Sequence, residues 1–136
     1  MNRNPDWLSQ LQMIVQQRKD IPHSWGSNDC CLFAADCILA MTGVDIASDL
    51  RGQYTDEAGA EKLIEQFGGS LSALATHFLG DSTGPCCARR GDIVLFDTSS
   101  GTEAIGVCVG SQFVCPGDEK LNAFMMENAK RCWRVG

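Results

Sequence analysis

What most restricts the fold of this chain is a change of hydrophobic period near residue 90. Before it, apolar residues recur at helical spacing; after it, they come in short runs cut by turn-formers. Trp7, Leu8, Leu11, Ile14 and Val15 fall on one stripe, and Pro5 suits a first turn, so the spacing predicts an amphipathic helix over about 5–18. Lys19 to Asn28 (KDIPHSWGSN) reads as a loop. Asp29 can cap a helix, CCLFAADCILAMT, that stops at Gly43 and is apolar nearly all round except at Asp36, which predicts burial on most sides. Thr55 is the expected cap of a helix through Gln66, closed by Gly68 and Gly69. Ser70 is the expected cap of another through Leu79, closed by Gly80. Beyond the turn-rich DSTGPCCARR, the runs GDIVLFDT, AIGVCVG and SQFVC, with shorter pieces at NAFMM and CWRV, read as strands. Helices first and strands last predict an α+β fold, N-terminal helices packed on a C-terminal antiparallel sheet or partial barrel, in one domain spanning 1–136.

Charge narrows the partners. Eleven Lys and Arg against 17 Asp and Glu give a net charge of -6, the wrong sign for neutralising phosphate backbones, so nucleic acid is excluded as an expected partner. No apolar run approaches the ~18 residues of a membrane helix, and MNRNPDWLSQLQ lacks the apolar stretch of a signal peptide. The expectation is a chain made in the cytoplasm with reduced thiols and no membrane insertion. Eight cysteines raise the alternative of a cysteine-ligated metal module. There is no C-x-x-C, only the adjacent pairs Cys30-Cys31 and Cys86-Cys87 and the isolated Cys37, Cys108, Cys115 and Cys132. Adjacent cysteines rarely ligate one ion together, so buried or idle thiols and no cofactor are expected; a metal would fall at Cys86 and Cys87 shared with distant cysteines.

The chemistry concentrates in Pro22-His23-Ser24-Trp25-Gly26-Ser27-Asn28-Asp29-Cys30-Cys31. A thiol in the first turn of a helix faces unpaired N–H groups and the positive end of the dipole, which favour the thiolate. Cys30 is therefore placed to be a nucleophile, while Asp29 works against it by competing for the same amides and repelling a second negative charge. The plainer alternative is that Cys30 and Cys31 simply open a buried helix, as Cys37 one face-repeat later is expected to do inside it.

W-G-x-x-D-C at 25–30, a small-residue helix behind it, then G-D-I-V-L-F at 91–96 and I-G-V-C-V-G at 105–110, resemble the NlpC-type cell-wall cysteine peptidase superfamily. The helix text DCCLFAADCILAMTGVDIASDLRGQY and the closing CWRVG further resemble a phage and prophage family of unknown function, related to those peptidases and commonly encoded among tail genes. The resemblance spans about 22–136 and implies a papain-like fold with Cys30 as nucleophile, a histidine opening the second strand as base, and a third polar residue on the next strand to orient it. Ala104 stands at the histidine position, and the third position falls near Cys115 and Pro116. His23 and His77 are the only other imidazoles; His23, in the loop before Cys30, is the candidate replacement base. Trp25, Gly26 and Asp29 are the candidate binding residues. What the resemblance implies is a virion tail-tip or tail-assembly component on a degenerate peptidase scaffold, synthesised in the host cytoplasm, with other phage tail proteins and peptidoglycan as partners. The alternative it leaves open is an active peptidase or amidase of peptidoglycan peptides.

Overall fold

A computed structural model describes residues 1–136. Four helices, α1 (Trp7–Arg18), α2 (Cys30–Thr42), α3 (Glu57–Gln66) and α4 (Leu71–Leu79), precede five strands, β1 (Ile93–Asp97), β2 (Glu103–Cys108), β3 (Gln112–Pro116), β4 (Leu121–Met125) and β5 (Ala129–Trp133). The fold is α+β, and the strands form one antiparallel sheet in the order β4-β3-β2-β1-β5. β1 therefore sits between β2 and the chain's last strand, which reaches it after a short 3-10 turn at Met126–Asn128.

The helix ends follow from their capping chemistry. Asp29 caps α2 by accepting from the Leu32 N–H, and Gly43 closes it with φ 76°. Ser70 caps α4 through the Ala73 N–H. The expected cap of α3 shifts by one residue: Asp56, and not Thr55, accepts from the Gly59 N–H, because a carboxylate suits the positive helix end better than a hydroxyl. Pro5 lies outside α1, which opens at Trp7 after Asp6.

Because side chains alternate across a strand, the sheet buries two faces. Ile93, Leu95, Ile105, Val107, Val114 and Trp133 join Phe33, Ile38 and Met41 of α2 in the main core. The alternate residues Val94, Phe96, Ala104, Cys108, Phe113 and Cys115 form a second cluster. That cluster is closed by an aromatic trio, Phe96, Phe113 and Phe124, with ring centroids 4.7 to 5.3 Å apart. Of the two adjacent methionines, Met125 is exposed while Met126 packs on this cluster. Gly106 is required beside it, since a Cβ there would lie 2.7 Å from the Phe113 ring. Asp36, the one charge on α2, is held by Arg18 and Arg51, each at 2.7 Å.

Candidate functional site

The start of α2 meets the sheet at Cys30, which packs against both apolar clusters. The loop before it is built to hold that helix end in place. Asn28 is buried, accepting from Arg18 at 2.9 Å and donating to the Pro22 carbonyl at 3.0 Å. Asp29 is only 2% exposed and fully engaged: its Oδ1 takes the Leu32 N–H at 2.9 Å, and its Oδ2 takes the Gly26 N–H at 3.0 Å and the Tyr54 hydroxyl at 2.6 Å. Gly26 has φ 82°, and a Cβ there would collide with the Tyr54 carbonyl oxygen. The G and D of the W-G-x-x-D-C run thus form a lock between loop, helix and Tyr54. Tyr54 carried no signal in the sequence, because its partner lies 25 residues away.

Cys30 is partly exposed and its thiol is held below the ordinary range. The largest cause is a hydrogen bond from the Cys31 thiol; backbone hydrogen bonds from Ile105 and Cys31 add to it, while burial and the Asp29 charge oppose it. Cys31 is pushed correspondingly up. Cys115 lies near enough for the Cys30 charge to reinforce the upward push of burial on its own thiol. We expect Cys30 to be the first thiol alkylated by iodoacetamide at neutral pH, with a rate–pH midpoint below the ~8.5 of a free thiol. Cys31→Ala, which removes the donor, should move that midpoint upward; an unchanged midpoint would show that the Cys31 thiol does not stabilise the thiolate.

Cys30, Ala104 and Cys115 come together around one apolar cluster, Ala104 being buried within it. Ala104 offers only a methyl group to this cluster, and no imidazole enters it. Neither imidazole is hydrogen-bonded to Cys30. The His23 backbone N–H donates to the Gly117 carbonyl at 2.7 Å, just past Cys115, and its ring stands edge-on to Trp25 with centroids 4.5 Å apart. Trp25 is 38% exposed beside it. His77 is exposed on α4, between Phe67 and Phe78. The loop therefore ties Gly26 and Asp29 to the start of α2, holds His23 and Trp25 against each other, and leaves the Cys30 sulfur without an imidazole partner.

The second sheet motif is also structural. Gly91 has φ 89°, and a Cβ on it would press on the Met41 sulfur and the Arg3 guanidinium. Asp92, 2% exposed, accepts from Arg3 Nη2 at 2.9 Å, the Arg89 N–H at 2.9 Å and the Val135 N–H at 3.1 Å. All eight cysteines are free, and no three His, Cys, Asp or Glu side chains converge as a metal centre. Cys86 and Cys87 thus gain no distant cysteine: the nearby Cys132 sulfur is tied to the Gly84 carbonyl and the Thr83 hydroxyl.

A family model described as a domain of unknown function, DUF6950, matches residues 2–135. The chain belongs to that family. The DUF6950 chain is also similar to a solved structure of RipD from Mycobacterium tuberculosis, described as a non-catalytic NlpC/p60 domain protein with an adaptation to peptidoglycan-binding function. The two share 17% identity with a TM-score of 0.50, covering 98% of this chain and 100% of that one. At that identity the likeness shows the fold, which is NlpC-like. No curated protein matches the DUF6950 chain.

Proposed function

We propose that this DUF6950 chain is a non-hydrolytic, wall-binding domain on a degenerate cysteine peptidase scaffold, and that it serves as a tail-tip or tail-assembly component of a phage or prophage. The observation that carries the first half is Ala104, buried in the apolar cluster that includes Cys115 and against which the partly exposed Cys30 packs. Peptide hydrolysis by a thiol needs a proton acceptor within hydrogen-bond reach that is itself oriented by a third group, and a methyl group can fill neither role. The solved relative described as non-catalytic and peptidoglycan-binding supports the same reading. The second half rests on the resemblance of the α2 text and the CWRVG ending to tail-encoded phage families, with the virion tail as the location and other tail proteins as partners.

A wall fragment would lie over the loop that precedes Cys30, where the exposed Trp25 indole offers a large apolar face with a hydrogen-bonding edge. Co-sedimentation of the purified chain with peptidoglycan sacculi tests this. Trp25→Ala should weaken binding about tenfold, as loss of an aromatic anchor does, and Cys30→Ala should leave it unchanged. Wild-type binding by Trp25→Ala, or failure of the wild type to sediment, would refute the wall-binding reading. Absence of the chain from tails of particles whose genome encodes it would refute the tail assignment.

One observation favours a second reading. The lowered Cys30 thiol, at a helix start whose N–H groups could hold an oxyanion, suits an active peptidase or amidase, with His23 moved onto the sulfur or a partner's side chain as base. That reading requires wall fragments to be released, and the release to vanish in Cys30→Ala.

A further inference from the structure

Outside the Cys30 site, the turn that leads into the sheet carries an exposed pair of thiols. Pro85–Cys87 form a single 3-10 turn, closed by the Cys87 N–H on the Gly84 carbonyl and the Ala88 N–H on the Pro85 carbonyl. The turn is anchored to β5 from below, where Thr83 and Cys132 exchange backbone hydrogen bonds of 2.8 and 3.0 Å. Cys132 is fully buried and its sulfur is occupied, whereas Cys86 and Cys87 are both exposed. Their sulfurs lie 4.0 Å apart. Neighbouring cysteines usually diverge; this tight turn brings both thiols to one side.

Two chemistries can use such a pair. A direct disulfide is disfavoured, because adjacent Cα atoms stand only about 3.8 Å apart, less than the ~4.4 Å that unstrained disulfides need. A single bridging ion fits better. Two thiolate–metal bonds of about 2.3 Å spanning this gap subtend an angle of about 120°, the trigonal value that soft d10 ions can adopt. We propose that Cys86 and Cys87 are a surface dithiol site for a soft, thiophilic metal ion, to which this chain supplies two ligands. Coordination replaces both thiol protons with the ion, two S–H bonds giving way to two S–metal bonds with release of the protons. Because coordination displaces both protons, binding strengthens as the pH rises.

The test uses the reduced full chain under anaerobic, metal-free conditions, with Cd2+ alone as probe and the ultraviolet thiolate-to-cadmium band as readout. The first equivalent is expected to produce the band and release protons. Cys86→Ser and Cys87→Ser should each weaken binding at least about tenfold, since each removes one of two soft ligands, and the double variant should lose the first-equivalent band. Cys30→Ser should retain it. Circular dichroism verifies that the variants, altered only on the surface, stay folded. A double variant that binds the first equivalent like the wild type, either single variant that matches the wild type, or a band that disappears with Cys30→Ser, would overturn the proposal.

Discussion

Replacing Asp92 with alanine is expected to destabilise the protein by about 3 to 5 kcal/mol, the usual consequence of removing one partner of a buried ion pair. For a chain of this length that is a fall in Tm of roughly 10 °C or more. Asp92 is the point at which three distant segments meet. Its Oδ1 receives both the Arg3 guanidinium and the buried Val135 N–H, and its Oδ2 receives the Arg89 N–H. Arg3 depends on it in turn: the same guanidinium donates to the Val135 carbonyl at 2.7 Å and the Arg90 carbonyl at 2.7 Å, and lies 4.2 Å from the Trp7 ring centre. Without the carboxylate, a mostly buried cation and two N–H groups lose their acceptor together, and unsatisfied buried groups cost more than the bonds themselves contribute. Asp92→Asn keeps an acceptor but no charge, so it should lose about half as much. Should Asp92→Ala fail to fold, Arg3→Ala measures the same pair from the other side. A loss below ~1 kcal/mol by chemical denaturation for Asp92→Ala would show that this clamp does not hold the segments together.

The Asp29→Ala variant is expected to lose about 3 to 4 kcal/mol, combining a missing helix cap with a buried hydroxyl and a loop N–H left without an acceptor. It should also change the chemistry of Cys30. With the Gly26 and Tyr54 contacts gone, the loop carrying His23 and Trp25 is no longer tied to α2. The negative charge that opposes the Cys30 thiolate is gone as well. Alkylation of Cys30 should therefore be faster and its rate–pH midpoint lower than in the wild type. In a double-mutant cycle, Tyr54→Phe should couple to Asp29→Ala by about 1 kcal/mol or more. A stable Asp29→Ala with unchanged Cys30 reactivity would mean that the loop is held by other contacts and that the W-G-x-x-D-C geometry does not depend on its carboxylate.

These two acids mark where reading the sequence succeeded and where it stopped. Capping is local, and Asp29, Gly43, Ser70 and Gly80 are recognisable because each acts within one turn of its own helix. Thr55 and Asp56 are adjacent and both able to cap, and the better match of a carboxylate to the positive helix end favours Asp56. The shift from helical to strand period likewise gives the α+β order directly. The placement of β5 beside β1, across from β2, is a long-range pairing that no local pattern encodes. Asp36 was visible as a lone charge on an apolar helix, but Arg18 and Arg51 as its partners were not. Around Cys30, the sequence showed Asp29 as a helix cap but not the rest of what holds that helix end. Tyr54, and the influence of the Cys31 thiol on Cys30, came only from the fold. The meeting of the Cys86 and Cys87 sulfurs also ran against expectation, because a 3-10 turn, unlike a strand, does not alternate its side chains.

On the proposed reading, the Cys30 sulfur, with no imidazole hydrogen-bonded to it, does not turn over. The most direct measurement incubates the purified, reduced full chain with peptidoglycan sacculi and follows soluble muropeptides by mass spectrometry, with Cys30→Ala in parallel. The expected result is release by the wild type no greater than by the variant, while both proteins sediment with the wall. Muropeptide release that grows with time in the wild type and is absent from Cys30→Ala would contradict it.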